Sequence, residues 1–154
     1  MKQAVDSWRQ MLLEQMPNSL HKQINQMADR LMLKVMDMMK VRLRYLHDIK
    51  NHTYLFTEPD YETDLGQKFQ KKIKQVADVN VKILGDMVQL IKEIDSKQSF
   101  TAEIMNRVCS EYLFKEKIYN NEDVFYLIRF ALSGNPVGAP MADIAEVIGK
   151  QQVE

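Results

Sequence analysis

Histidine and cysteine, which supply many metal ligands and nucleophiles in proteins, are few in this sequence of 154 residues, with three His and one Cys. None of the three histidines has metal-ligand spacing; His47 and His52 are five residues apart, which does not place them on one face of a helix. Cys109 lies in an amphipathic stretch, where a buried thiol is favoured over a nucleophile. Since no glycine-rich phosphate loop and no nucleophile signature is present, we expect no catalytic residue, no metal and no cofactor in this chain.

Arg129 precedes a loop that contains glycine and proline, and this arrangement is suited to recognition. Ser133-Gly134 ends the helical pattern that contains Arg129, and Pro140 opens the next helix after a loop with Gly138. Glycine lets backbone come close to a ligand, and the guanidinium offers a planar fork of donors to a base edge or a phosphate. The segment is therefore able to present N–H groups to unstacked bases of single-stranded RNA. An arginine that merely organises the loop is the alternative, and the pattern leaves both open.

Positive charge is concentrated in two stretches although the formal net charge is zero. Residues 21–50 hold seven Lys or Arg against three Asp, and residues 68–82 hold five Lys against one Asp, so each stretch has a surplus of four. Such stretches can bind phosphate with a modest salt dependence. The candidates for RNA contact there are Arg42, Arg44, Lys71 and Lys72. Solvated helix faces are the alternative explanation of the same charges.

Apolar residues recur at helical spacing along nearly the whole chain, which predicts an all-α fold. The predicted helices cover residues 1–16, 20–49, 69–94, 101–113, 121–133 and 140–149. Polar connections are predicted at residues 95–99 and 115–120. Hydrophobic residues make up 45 % of the chain, which excludes a disordered polypeptide, and no apolar run is long enough to span a bilayer.

The polar stretch at residues 58–66 is a candidate boundary between two small helical lobes. We predict an unassigned N-terminal segment over residues 1–20, a first lobe over 21–66 and a second lobe over 67–154, which includes the helix-loop-helix around Arg129. A single helical domain is also compatible with the length.

One segment carries a specific resemblance to a known family. Val124-Phe-Tyr-Leu-Ile-Arg129-Phe-Ala-Leu-Ser133-Gly134 is followed by Gly138-Ala-Pro140-Met141 and closes at Gly149. It resembles the C-terminal segment of glutamyl-tRNA synthetases, in which a Leu-Arg-x-Ala-Leu-Thr/Ser-Gly motif precedes a short loop, a helix and a glycine. The Gly-x-x-x-Gly-x-Pro form of the loop is similar to the mitochondrial type.

Weaker matches to the same family occur upstream in the family's order. Arg42-Leu-Arg44-Tyr-Leu46-His-Asp48 resembles an Arg-x-x-Thr-Leu helix, with Tyr45 in place of Thr, and Tyr54-Leu55-Phe56 stands where the family has an aromatic run. Thr101-Ala-Glu103 resembles a threonine near the start of a family helix. The His-Ile-Gly-His-like and Lys-Met-Ser-Lys-Ser-like signatures that bind ATP are absent, so the chain resembles a detached anticodon-binding part.

The resemblance implies recognition of the anticodon arm of a glutamate tRNA. By the resemblance, the anticodon contacts fall on Arg129, Gly138 and Met141, with the contact at Gly138 made by backbone. The parent enzyme would be a class I ligase that joins glutamate to tRNA using ATP, which the missing catalytic part would bind. We expect a monomer without membrane or metal partners in the mitochondrial matrix, with the cytoplasm of a bacterium as the alternative. A free-standing tRNA-binding module and a helical protein-interaction domain without RNA are the rival functions.

Overall fold

The computed structural model describes residues 2–95, 98–118 and 121–153, and the regular structure in these ranges is helical, without a β-strand. The α-helices are α1 (Lys2–Gln15), α2 (His21–Gln26), α3 (Asp29–Met39), α4 (Asp64–Lys74), α5 (Ala77–Lys92), α6 (Ala102–Lys115), α7 (Asn121–Ser133), α8 (Met141–Ile148) and α9 (Lys150–Val153). Short 3₁₀ helices cover Asn18–Leu20 and Leu46–Leu55. The all-α prediction is confirmed. Residues 96, 97, 119 and 120, which belong to the two predicted connections, lie outside the described residues.

The chain forms two compact units, Met1–Glu58 and Pro59–Glu154. In the first unit α1 packs against α3 and against the longer 3₁₀ helix. The second unit begins before α4, because Tyr61 packs against α7. The hydroxyl of Tyr61 donates to the carbonyl oxygen of Ala131 at 2.6 Å, and the centroid of its ring lies 5.4 Å from that of Phe130. The observed division falls after Glu58, at the start of the polar stretch at residues 58–66 that was predicted as the boundary, whereas the first lobe was predicted to extend to residue 66.

The single helix predicted over residues 20–49 is wrong, because the backbone is extended at Met27 (ψ 129°) and Ala28 (ψ 144°). Arg9 of α1 occupies this break. Its guanidinium donates to the carbonyl oxygens of Ile24 and Met27 and forms an ion pair with Asp29 at 2.8 Å. The last carbonyl oxygens of a helix lack hydrogen-bond donors within the helix, and here the guanidinium of Arg9 from α1 is the donor for the end of α2.

The helix predicted over residues 69–94 is also interrupted, since α4 ends at Lys74 and α5 begins at Ala77. Val76 has non-helical backbone angles (φ −130°, ψ 44°). The side-chain amide of Asn80 donates to the carbonyl oxygen of Ile73 at 2.7 Å and so satisfies one carbonyl that the break exposes.

The core of the second unit is built around α8, which packs against α6 and α7. Ile144 and Ala145 of α8 are fully buried. Glu146 is also buried, and its carboxylate accepts the N–H of Ala102 at 3.0 Å at the start of α6. Thr101 caps the same helix by accepting the N–H of Ile104 at 3.4 Å. The orientation of α8, and of the loop before it, is thereby fixed. None of the described helices is long and apolar enough to cross a membrane.

Candidate nucleic-acid interface

Arg129 connects α7 to the loop over residues 134–140. Its Nε–H donates to the carbonyl oxygen of Ala139 at 2.9 Å, and its Nη1 donates to the carbonyl oxygen of Pro136 at 3.1 Å. The side chain therefore organises the loop, which was one of the two roles that the sequence left open. A guanidinium has five N–H donors, and Nη2 makes no hydrogen bond with the described residues. Arg129 is half-buried, so part of the fork still faces outward.

Ser133 stiffens the entrance to this loop from a buried position. Its hydroxyl lies within donating distance of two carbonyl oxygens, that of Arg129 at 2.8 Å and that of Asn135 at 2.9 Å, and it accepts the N–H of Asn135 at 3.2 Å. The side-chain oxygen of Asn135 accepts the N–H of Val137 at 3.0 Å. These bonds fix the loop conformation before any ligand binds, which lowers the entropic cost of binding.

Glycine is required at two positions of the loop. Gly134 has a φ of 70°, and a Cβ there would lie only 2.2 Å from the carbonyl oxygen of Asp60. Gly138 has a φ of 136° and is exposed. Both backbone conformations disfavour other residues. Gly134 thus serves the packing of the loop against the segment that begins the unit, whereas Gly138 leaves backbone accessible at the surface.

Tyr126 was missed by the sequence reasoning, although it lies one turn before Arg129 on α7. The Cζ of Arg129 lies 5.7 Å from the centroid of the Tyr126 ring, which is within the range of a cation–π contact. Tyr126 is 37 % exposed. The three-residue spacing of the two side chains was the signal that could have revealed the pair. Together they place an aromatic ring and unused guanidinium donors at the same surface.

Met141 is the first residue of α8, and its side chain is buried in the core with 4 % exposure. The family resemblance assigned an anticodon contact to this position. Since the thioether is enclosed, a contact with RNA here falls to the backbone of the first turn. The side chain instead helps to hold the start of α8 against the rest of the unit.

Lys71 and Lys72 lie in the last turn of α4, also in the second unit. Both are exposed, and Lys71 makes no ion pair or hydrogen bond with the described residues. The Nζ of Lys72 lies 3.8 Å from a carboxylate oxygen of Asp123, and both side chains are more than half exposed. Such an exposed pair contributes little to stability, so these lysines remain available to phosphates.

Arg42 and Arg44 lie in the first unit, in the turn that follows α3. The Nη1 of Arg42 donates to the carbonyl oxygen of Met38, so this guanidinium satisfies the end of the helix. Arg44 is exposed and has no ion pair or hydrogen bond with the described residues. The seven predicted site residues are thus divided between the two units. Gly138 lies in the loop, Met141 follows it, and the side chain of Arg129 is hydrogen-bonded to it.

In the described part of the chain, the possible metal ligands and the cysteine show no sign of a metal site or of a reactive thiol. Among the described residues, no group of His, Cys, Asp and Glu side chains could hold a metal ion. Cys109 is 1 % exposed, and burial raises the pKa of its thiol to about 12. The predicted burial of this cysteine is therefore confirmed, and at neutral pH the residue lacks the thiolate that a nucleophile needs.

Comparisons with known proteins agree with the motifs. A family model described as an anticodon binding domain matches residues 7–154. The chain is also 30 % identical, over 121 residues, to glutamate–tRNA ligase 2 of Thermoanaerobacter pseudethanolicus (strain ATCC 33223 / 39E). That match covers 77 % of this chain and 23 % of the relative, so the chain spans about a quarter of the length of this ligase. No solved structure matches the chain. The anticodon-binding part expected from the motifs is confirmed, and the chain belongs to the anticodon binding domain family, with similarity to a glutamate–tRNA ligase.

Proposed function

We propose that the loop between α7 and α8 reads the anticodon of a glutamate tRNA. Family membership supports tRNA anticodon recognition as part of an aminoacyl-tRNA synthetase. The observation that carries the finer proposal is the pair of hydrogen bonds from Arg129 to the carbonyl oxygens of Pro136 and Ala139. They hold the loop rigid while Nη2 stays free of the described residues, and a rigid donor set is suited to distinguishing base edges.

Several groups of the second unit have separate roles in the proposed contact. The Nη2 donors of Arg129 would bind an acceptor on a base edge, and the exposed ring of Tyr126 would stack on an unpaired base. Gly138 would bring its backbone close to a second nucleotide, as its exposed position and positive φ allow. Lys71 and Lys72 would attract the phosphate backbone without reading its sequence.

The parent protein is proposed to be a class I glutamate–tRNA ligase. Its missing part would bind ATP and glutamate and carry out the ligation, and this chain would contribute recognition alone. The similarity to a glutamate–tRNA ligase supports the glutamate specificity. The resemblance of the Gly-x-x-x-Gly-x-Pro loop to the mitochondrial type supports a mitochondrial matrix location, with the cytoplasm of a bacterium as the alternative. We further propose that the chain acts as a monomer on one tRNA, because its candidate reading loop is completed within a single unit.

The proposal is tested by titrating the chain with two labelled anticodon stem-loops that share one stem. One carries a glutamate anticodon and the other a replaced anticodon triplet. Because phosphate contacts are the same in both RNAs, a difference in affinity reports base recognition. We expect tighter binding of the glutamate stem-loop, by roughly 5- to 150-fold for about 1–3 kcal/mol of discrimination. Equal affinities would contradict anticodon reading, and the absence of binding to either RNA would favour a protein-interaction domain.

A further inference from the structure

The rings of Tyr45 and His47 are stacked on the surface of the first unit. Their centroids are 5.5 Å apart and their planes differ by 5°. Tyr45 is 60 % exposed and the side chain of His47 is 67 % exposed. Two rings that bury so little area gain little from the hydrophobic effect, so packing of the core does not explain this arrangement.

Asp48 positions both residues of the stack. One of its carboxylate oxygens accepts the backbone N–H of Tyr45 at 2.9 Å, and the other lies 3.4 Å from the Nε2 of His47. The same carboxylate therefore fixes the backbone under one ring and the edge of the other ring. Because the stack is held in place without a ligand, a planar group that binds to it would lose little additional side-chain entropy from the protein.

The segment that carries the stack is rich in positive charge. Between residues 40 and 50, four cationic side chains (Lys40, Arg42, Arg44 and Lys50) accompany one acidic side chain, Asp48. Lys40 is paired with Asp37 at 2.8 Å, but Arg44 and Lys50 are exposed and have no ion pair with the described residues. Exposed rings beside unpaired cations are complementary to an unpaired nucleotide, which has an aromatic face and an anionic phosphate.

We propose that Tyr45 and His47 form a stacking platform for an unpaired nucleotide of the bound RNA, with Arg44 binding a phosphate beside it. This second contact goes beyond the proposed reading of the anticodon by the Arg129 loop. The platform gains affinity by stacking, which accepts any base, and does not discriminate between anticodons. Asp48 is a positioning residue that keeps the two rings parallel.

The test measures binding of the whole chain to a full-length glutamate tRNA transcript over a range of salt concentrations. Tyr45→Thr removes the ring but leaves the charge unchanged, whereas Tyr45→Phe keeps the ring. We expect Tyr45→Thr to weaken binding by roughly 5- to 150-fold without changing the salt slope, and Tyr45→Phe to bind within about twofold of the original chain. Arg44→Gln should instead reduce the slope by roughly one, since one phosphate is then no longer neutralised by the protein.

Phe114→Ser is the matched control, because Phe114 is 88 % exposed and lies in the other unit. This variant should bind the tRNA as the original chain does. Unchanged affinity of Tyr45→Thr would overturn the platform and indicate a protein contact instead. A loss that merely follows the unfolded fraction in a thermal melt, or an equal loss in Phe114→Ser, would overturn it too. Discrimination between the two anticodon stem-loops should persist in Tyr45→Thr, so failure of the platform and failure of anticodon reading are separately visible.

Discussion

The Nε–H of Arg129 donates to the carbonyl oxygen of Ala139 at 2.9 Å and so joins α7 to the residue just after Gly138. A lysine at position 129 keeps the charge but lacks the planar guanidinium, whose separate nitrogens donate to the carbonyl oxygens of Ala139 and Pro136. We expect Arg129→Lys to cost about 1–3 kcal/mol in binding of the glutamate anticodon stem-loop and much less for the replaced anticodon.

Titration of both stem-loops, with a thermal melt of each variant, separates the possible roles of Arg129. Tyr126→Leu is the comparison variant, because it removes the proposed stacking ring but leaves both bonds from Arg129 to the loop. Since stacking accepts any base, this variant should weaken binding of both RNAs alike. Equal losses on both RNAs would reduce Arg129 to a phosphate anchor. A lowered melting temperature with binding reduced only by the unfolded fraction would make its role structural.

Gly134 has no room for a side chain. In Gly134→Ala the new Cβ would lie 2.2 Å from the carbonyl oxygen of Asp60, at a φ of 70° that alanine disfavours. We expect the free energy of unfolding to fall by roughly 2–4 kcal/mol, as measured by urea denaturation followed by circular dichroism. Gly85→Ala is the control, since nothing lies within 4 Å of a Cβ there and the position is inside α5, where alanine should stabilise by about 0.5–1 kcal/mol. A Gly134 variant as stable as the original chain would contradict the observed packing of Asp60.

The helix-loop-helix around Arg129 was predictable from the sequence because its signals are local. Ser133 and Gly134 end α7, and Pro140 stands immediately before α8, as its fixed φ favours. The orientation of Met141 was not predictable, since periodicity alone does not show whether the first side chain of a helix faces the core. The proximity of Tyr126 to Arg129 was implied by their spacing, but the exposure of the ring was not.

The breaks in the two longest predicted helices depend on interactions that periodicity does not contain. Arg9 stabilises the break before Asp29 from a different helix, and Asn80 reaches back across the break at Val76. The apolar spacing continues through both breaks, so it predicts uninterrupted helices. The stack of Tyr45 and His47 was also hidden, because it depends on the position of the Asp48 carboxylate.

Neutralising the lysines at the end of α4 should weaken RNA binding without regard to sequence. Lys71 and Lys72 are exposed, and Lys72 forms a surface ion pair with Asp123 that contributes little to stability. We expect the variant with both lysines changed to Gln to lose the same factor of affinity for the glutamate stem-loop and for the stem-loop with the replaced anticodon. The slope of log affinity against log salt should flatten by roughly one for each phosphate that the protein no longer neutralises. Lys92→Gln is the control, because Lys92 is the last residue of α5. An unchanged salt slope in the double variant would show that Lys71 and Lys72 do not contact the RNA.

The purified chain should show no ATP–pyrophosphate exchange and no aminoacylation. The signatures that bind ATP in class I synthetases are absent from the 154 residues, and the chain spans 23 % of the ligase relative. Exchange is measured with ATP, labelled pyrophosphate, glutamate and glutamate tRNA, with a complete glutamate–tRNA ligase as the positive control. Exchange above background with the pure chain would contradict the division of roles proposed for the parent protein.

His52 should make the stability of the first unit depend on pH. Burial lowers the pKa of His52, Arg42 lowers it further, and Asp48 opposes these effects. In the unfolded chain the pKa returns to about 6.5, so below about pH 6.5 the unfolded state binds more protons than the folded state. The free energy of unfolding should therefore decline as the pH falls from about 7 to about 5. Fluorescence of Trp8, the only tryptophan of the chain and part of the first unit, can follow urea unfolding across this range. His52→Gln should make the decline shallower. If His52→Gln retains the full decline, another group is responsible for it.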